Sequence, residues 1–103
     1  MSEGKTGLSI AADHPAFAGH FPAMPVVPGV VLLDEALHAI GIRLGKDLSA
    51  CRINSVKFLS PAQPGEPLEV QYELLGSGAI QFTITSMDRK IAVASVRPTE
   101  AMQ

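Results

Sequence analysis

The chain has 103 residues, of which 47% are apolar and 17% charged, and a formal net charge of −2. That length is enough for one domain and too short for two; the charge, with no basic run, argues against nucleic acid or an anionic membrane as the main partner. Charged residues fall below the usual share of about a quarter, which leaves less to cover the outside, so a homo-oligomer is expected.

Cys51 is the sole cysteine. It allows no intrachain disulfide and no cysteine-based zinc site, and a reducing cytoplasm fits best. Residues 1–7 are polar and lack the apolar core of a signal peptide, and no run approaches a membrane span. Residues 1–103 therefore read as a single cytoplasmic domain, with about seven N-terminal and about five C-terminal residues flexible.

In chain order, Leu8–Ala12 alternates weakly and reads as a short first strand, ended by Asp13, His14 and Pro15. A long connection follows, stiffened by Pro22 and Pro25. From Pro28 to Leu44 the apolar residues Val30, Leu33, Ala36, Leu37, Ile40 and Leu44 recur at about 100° per residue, which predicts a helix with Pro28 as its first residue and Gly45 as its terminator. Asp34, Glu35 and His38 share the opposite arc with Val31 and Ile42, so a sheet is expected on one side and a partner subunit or ligand on the other.

Beyond Gly45 the pattern alternates. Ile53–Leu59 is a strand with Val56 and Phe58 on one face, and Ser60–Gly65 is a turn. Pro67–Leu75 turns Val70, Tyr72 and Leu74 inward, Gly76–Gly78 makes a hairpin turn, and Ile80, Phe82 and Ile84 alternate with polar residues. Asp88–Lys90 turns the chain into Ile91–Val96, which Pro98 stops, leaving a tail from Thr99 that nothing anchors. One helix amid about five strands gives an α+β fold, an antiparallel sheet with the helix on one face.

The stretch Gly19–His38, GHFPAMPVVPGVVLLDEALH, carries the chemistry. Val27 stands where a capping Ser, Thr, Asp or Asn is usual, so the amides of Gly29, Val30 and Val31 are expected to lack local partners. Such a helix start attracts negative charge, and Gly29 lets a ligand approach the backbone.

This stretch resembles the signature of the 3-hydroxyacyl-acyl-carrier-protein dehydratases of the hotdog fold, the FabA/FabZ-like group. VKFLSPAQPGEPLEV resembles their second block, and together the two cover residues 14 to 97. The resemblance implies a sheet of about five strands curled round one long central helix, dimerised edge to edge, with active sites at the interface. It assigns His20 as the catalytic histidine, Gly29 as the amide that polarises the thioester carbonyl, and Asp34, 14 residues after His20, as the helix carboxylate. In such dimers the histidine and the acid of one site come from different subunits. Phe21, Val26, Val30 and His38 are then the residues expected to contact the acyl group. His38 stands where many relatives carry Gln, and the short segment before His20 implies a shorter or open acyl tunnel.

Removing water from a 3-hydroxyacyl thioester takes a weakly acidic proton from C2 and protonates a poor leaving group at C3. Neutral imidazole, titrating near ~6.5, suits the first task. An uncapped amide can hold the charge that builds on the thioester oxygen, and Asp34 can hold or protonate the C3 hydroxyl. No metal or redox cofactor is called for, and His14, His20 and His38 lack metal-ligand spacing.

The substrate class implied is an acyl-carrier-protein or coenzyme A thioester, and the partner a second copy of the chain or another hotdog protein. Structural readings stand beside these: His20 holding a turn, Asp34 pairing with His38 at i+4, Gly29 allowing tight packing. Two other functions stay open, a non-catalytic acyl-binding subunit and a thioesterase in which Asp34 or Glu35 activates water.

Overall fold

The alternation of Leu68, Val70 and Tyr72 with Glu69, Gln71 and Glu73 continues in Ile80, Phe82 and Ile84 on the next strand. All six apolar residues are buried on one face, as a half-buried antiparallel sheet requires. The computed structural model describes residues 3–10 and 27–99. Its elements are β1 (Glu3–Leu8), α1 (Gly29–Leu44), β2 (Cys51–Phe58), β3 (Leu68–Leu74), β4 (Ile80–Ser86) and β5 (Arg89–Pro98). They form one antiparallel sheet in the order β1-β3-β4-β5-β2. Against its apolar face pack Leu32, Leu33, Ala36 and Ile40 of the helix, joining Val70, Phe82, Ile84, Ile91 and Val96 in one core.

Three expectations about strands need correction. The first strand is Glu3–Leu8 rather than Leu8–Ala12, and it pairs with β3 along its whole length, from Glu3↔Glu73 to Leu8↔Leu68. Its sequence, EGKTGL, shows little apolar alternation because it is an edge strand held by its backbone ladder. Gly4 lies opposite Tyr72, and a Cβ there would strike the tyrosine hydroxyl. The last strand runs through Pro98, which pairs with Cys51 at the strand end, where a missing N–H costs least. Thr99 is also anchored: its N–H and its hydroxyl both donate to the Ala50 carbonyl, at 3.0 and 2.9 Å. Residues 1–2, 11–26 and 100–103 lie outside the described residues.

Pro28 is the cap of the helix rather than its first residue, with extended ψ of 145°. No side chain caps the first turn. At the other end Gly45 takes the left-handed conformation, φ 70°, and the N–H groups of Gly45 and Lys46 donate to the carbonyls of Ile42 and Gly41. This paired arrangement stops the helix and returns the chain along it. Gly41 is buried against that return, where Leu48 is 4% exposed.

A bulge in β5 sets up the region around the helix start. Ile84 pairs with Ala92 and Thr85 with Lys90, so Ile91 is the extra residue. Its carbonyl accepts from the N–H groups of Leu59 and Ser60 at 2.8 and 3.3 Å, fixing the chain as it leaves β2.

Candidate active site

Between β2 and β3 the segment 59–67 folds against the sheet, held by Arg89. The Arg89 guanidinium donates to Ser60 Oγ at 2.6 Å, to the Pro61 carbonyl at 2.7 Å, and to the Glu66 carboxylate, with which it also forms an ion pair. Glu66 closes its own turn, since its carboxylate accepts from the Gln63 N–H at 3.0 Å. That hydrogen bond, foremost, with the Ser86 hydroxyl and Arg89 adding to it, holds the Glu66 carboxyl below the usual glutamate range.

This segment grips both ends of the stretch that carries His20. The Gly65 N–H donates to the Ile10 carbonyl at 2.7 Å, and the Val27 N–H donates to the Ala62 carbonyl at 2.8 Å. Ile10 and Val27, the described residues that flank 11–26, are both buried. His20, Phe21 and Val26 themselves lie outside the described residues.

The helix start stands beside the same segment. Val27, Gly29, Leu32, Phe58, Leu59, Ser60 and Pro61 line a largely apolar cleft of about 400 Å³. No acidic residue occupies the first turn. Among the described residues the N–H groups of Gly29 and Val30 have no acceptor, whereas Val31, expected to share that condition, donates to the Pro28 carbonyl at 3.0 Å. The Gly29 amide, at the cleft, is a place where developing negative charge is stabilised.

Asp34 is not in this cleft. It lies on an exposed stripe of the helix at four-residue spacing, Val30, Asp34, His38 and Ile42, with Val30 73% and Ile42 68% exposed. Asp34 and His38 line a separate groove of about 800 Å³ with Glu35, Leu37, Gly41, Ile42 and the segment 45–49. The alternative pairing of Asp34 with His38 does not form, since neither hydrogen bond nor ion pair joins them among the described residues. One chain thus holds Gly29 and Asp34 on different surfaces.

Sequence reasoning passed over Phe58 as a site residue. It reads there only as sharing one face of a strand with Val56. Its register opposite Ala92 does place it on the core side, yet it is 49% exposed, at the mouth of the cleft. Cys51 donates to the Leu48 carbonyl at 3.3 Å, and burial, with the nearby Asp47 charge second, pushes its thiol above the ordinary range. Among the described residues no helix is long and apolar enough to cross a membrane.

The sequence profile of the ApeI-like dehydratases (ApeI dehydratase) matches residues 2–97. The chain belongs to the ApeI-like dehydratase family. It is similar to the 3-hydroxyacyl-[acyl-carrier-protein] dehydratase FabZ of Mannheimia succiniciproducens, at 30% identity over 85% of this chain and 66% of that one. It is 34% identical to the FabZ of Vibrio cholerae, over 65% of this chain and 50% of the relative. The chain thus spans between 50% and 66% of the length of these relatives. Among solved structures it is similar to the dehydratase heterocomplex ApeI:P of Xenorhabdus doucetiae, at 27% identity and a TM-score of 0.78, covering 93% of this chain and 86% of that one. A 1,4-dihydroxy-2-naphthoyl-CoA thioesterase of Synechocystis shares the fold alone, at 17% identity and a TM-score of 0.66, over 91% of this chain and 78% of the other. The fold of this family member is therefore the hotdog fold, five antiparallel strands with one helix.

Proposed function

We propose that the protein is a dehydratase that removes water from a 3-hydroxyacyl thioester, carried on acyl carrier protein or coenzyme A, to give the trans-2-enoyl thioester. The observation that carries this reading is the uncapped helix start at Gly29, with no acidic residue in its first turn and open to an apolar cleft. The His20-bearing stretch is anchored at both ends to one wall of that cleft. Family membership supports the reaction class.

In this reading the thioester oxygen accepts a hydrogen bond from the Gly29 N–H, which acidifies the C2–H bond. The His20 imidazole takes the C2 proton as electrons move toward the carbonyl. Asp34 acts at the C3 hydroxyl, either protonating it directly or holding it to receive the C2 proton from the His20 imidazolium, as the C3–O bond breaks and water leaves. The enolate-like charge is greatest in the transition state, so an amide aimed at it lowers the barrier and not merely the binding energy. Phe21 and Val26 contact the acyl group from the side of His20, and Val30 and His38, which share the exposed helix stripe with Asp34, from the side of the acid.

The separation of Gly29 and Asp34 on one chain leads us to assign the acid of each site to a second hotdog subunit. β2 ends the sheet, and Ile53, Val56, Phe58 and Leu59 at that edge leave 51, 37, 49 and 49% of their surfaces uncovered. Such an edge invites pairing with another chain. The second subunit is either a copy of this chain or a related protein, and the ApeI:P heterocomplex of Xenorhabdus doucetiae is a precedent for the second arrangement. In that arrangement this chain is the acyl-binding partner of a larger dehydratase.

The test is direct. The purified protein is assayed with 3-hydroxyacyl thioesters for enoyl formation, and His20→Ala should lower kcat by about 10²–10⁴-fold. An unchanged rate removes the reading. Release of free thiol without enoyl product would assign a thioesterase instead.

A further inference from the structure

Phe58 is the last residue of β2, and the chain on either side of it is fixed. Its register partner is Ala92, a small buried residue, and the next two amides, Leu59 and Ser60, both donate to the bulged Ile91 carbonyl. Arg89 then ties Ser60 and Pro61 in place. A side chain on such a doubly anchored backbone can be aimed, and Phe58 is aimed at the helix start. A methyl group built on Gly29 would lie 2.6 Å from the tip carbon of the ring, Cζ, and 3.0 Å from Cε1 and Cε2. The ring therefore abuts Gly29 tip-on, yet it is half exposed and lines the cleft with Val27, Leu32, Leu59 and Pro61.

The position matters because of where an acyl thioester would have to sit. A carbonyl oxygen seated on the Gly29 amide brings C1 and C2 beside the same residue. The ring already takes the space next to Gly29, so the atoms flanking the carbonyl have little lateral room. A straight chain can lie along the ring face, whereas a substituent on C2 meets it.

We propose that Phe58 is the specificity-determining wall of this cleft, admitting acyl thioesters unbranched at C2 and excluding those with a C2 methyl group. The inference rests on the dehydratase reading and adds the substrate feature that the site discriminates.

The experiment compares kcat/KM for an unbranched 3-hydroxyacyl thioester and for its 2-methyl counterpart, which keeps one C2 hydrogen and can still be dehydrated. Wild type should prefer the unbranched substrate, and Phe58→Ala should shift the ratio toward the 2-methyl substrate by about tenfold or more, the usual worth of one methyl-sized group in an apolar pocket. Phe58→Leu, closer in volume, should shift it less. Gly29→Ala provides the converse, because its methyl group forces the ring outward; combined with Phe58→Ala it should give no larger shift in ratio than Phe58→Ala alone, as two changes acting through one ring.

Size-exclusion chromatography and thermal unfolding establish that each variant folds and assembles. If Phe58→Ala fails that check, Phe58→Leu carries the comparison. A ratio unchanged in a folded, assembled variant overturns the role of Phe58 while leaving the dehydratase reading intact, provided wild type is active and His20→Ala is not. Wild type that turns over neither substrate removes both.

Discussion

Arg89 and Glu66 are far in sequence from Ile10 and Val27, yet they hold the segment that both of these bond. Arg89 binds Ser60, Pro61 and Glu66, and the same segment binds Ile10 and Val27 at the two ends of the His20 stretch. The Glu66 carboxyl is held below its usual value of 4.5 by the Gln63 N–H first, with Ser86 and Arg89 beside it. The native state therefore binds fewer protons than the unfolded chain in this range, and stability rises with pH. The contribution is complete above pH 4.5 and is lost as pH falls through the lower native value. Unfolding measurements should find Glu66→Gln less stable than wild type at neutral pH, with the two converging as the pH drops below the usual glutamate range. A constant gap between them across acid pH would mean that Glu66 acts through its shape alone.

At the scale of the elements, the helix is defined by its ends more than by its cap chemistry. Its start has no side-chain cap, and its finish depends on Gly45 and on the close return of 46–48 beneath Gly41. A Cβ at Gly41 would lie 2.6 Å from the Lys46 carbonyl oxygen, a backbone atom that cannot rotate away, and 3.6 Å from Leu48 Cγ. Alanine is the better helix former by about 1 kcal/mol, but overpacking of this kind costs about 1–3 kcal/mol. Gly41→Ala should therefore lower the urea midpoint without changing the slope. A variant more stable than wild type would show that the returning segment gives way at little cost. The same groove contains Asp34 and His38, so the packing at Gly41 also sets the depth of the surface that carries the proposed acid.

For the whole molecule, Gly29 and Asp34 line different surfaces, and the proposed reading assigns the acid of each site to a second subunit. Complementation tests this. If the partner is a second copy, His20→Ala and Asp34→Asn chains are each inactive alone, but a mixed dimer regains one site with wild-type His20 and Asp34. Random mixing in equal amounts should restore roughly a quarter of wild-type activity. No recovery in mixtures shown by native mass spectrometry to contain mixed dimers would place both groups in one chain. Failure of this chain to pair with itself would favour the heteromeric arrangement instead.

Periodicity and local geometry are legible along the chain. Val70 and Tyr72, then Ile80, Phe82 and Ile84, announce their strands because burial on one face repeats every second residue. The helix and its Gly45 terminus are legible for the same local reason. The family signature supplied His20, Gly29 and Asp34 as candidates. Tertiary structure decided the rest. Glu3–Leu8 is a strand because β3, paired from Glu3↔Glu73 to Leu8↔Leu68 and so distant in sequence, offers it a backbone ladder, which no local pattern can announce. Thr99 is anchored by Ala50, and Phe58 is brought against Gly29 by a bulge at Ile91 and a clamp from Arg89. Those contacts join residues distant along the chain, so only the folded sheet could bring an aromatic ring to the helix start.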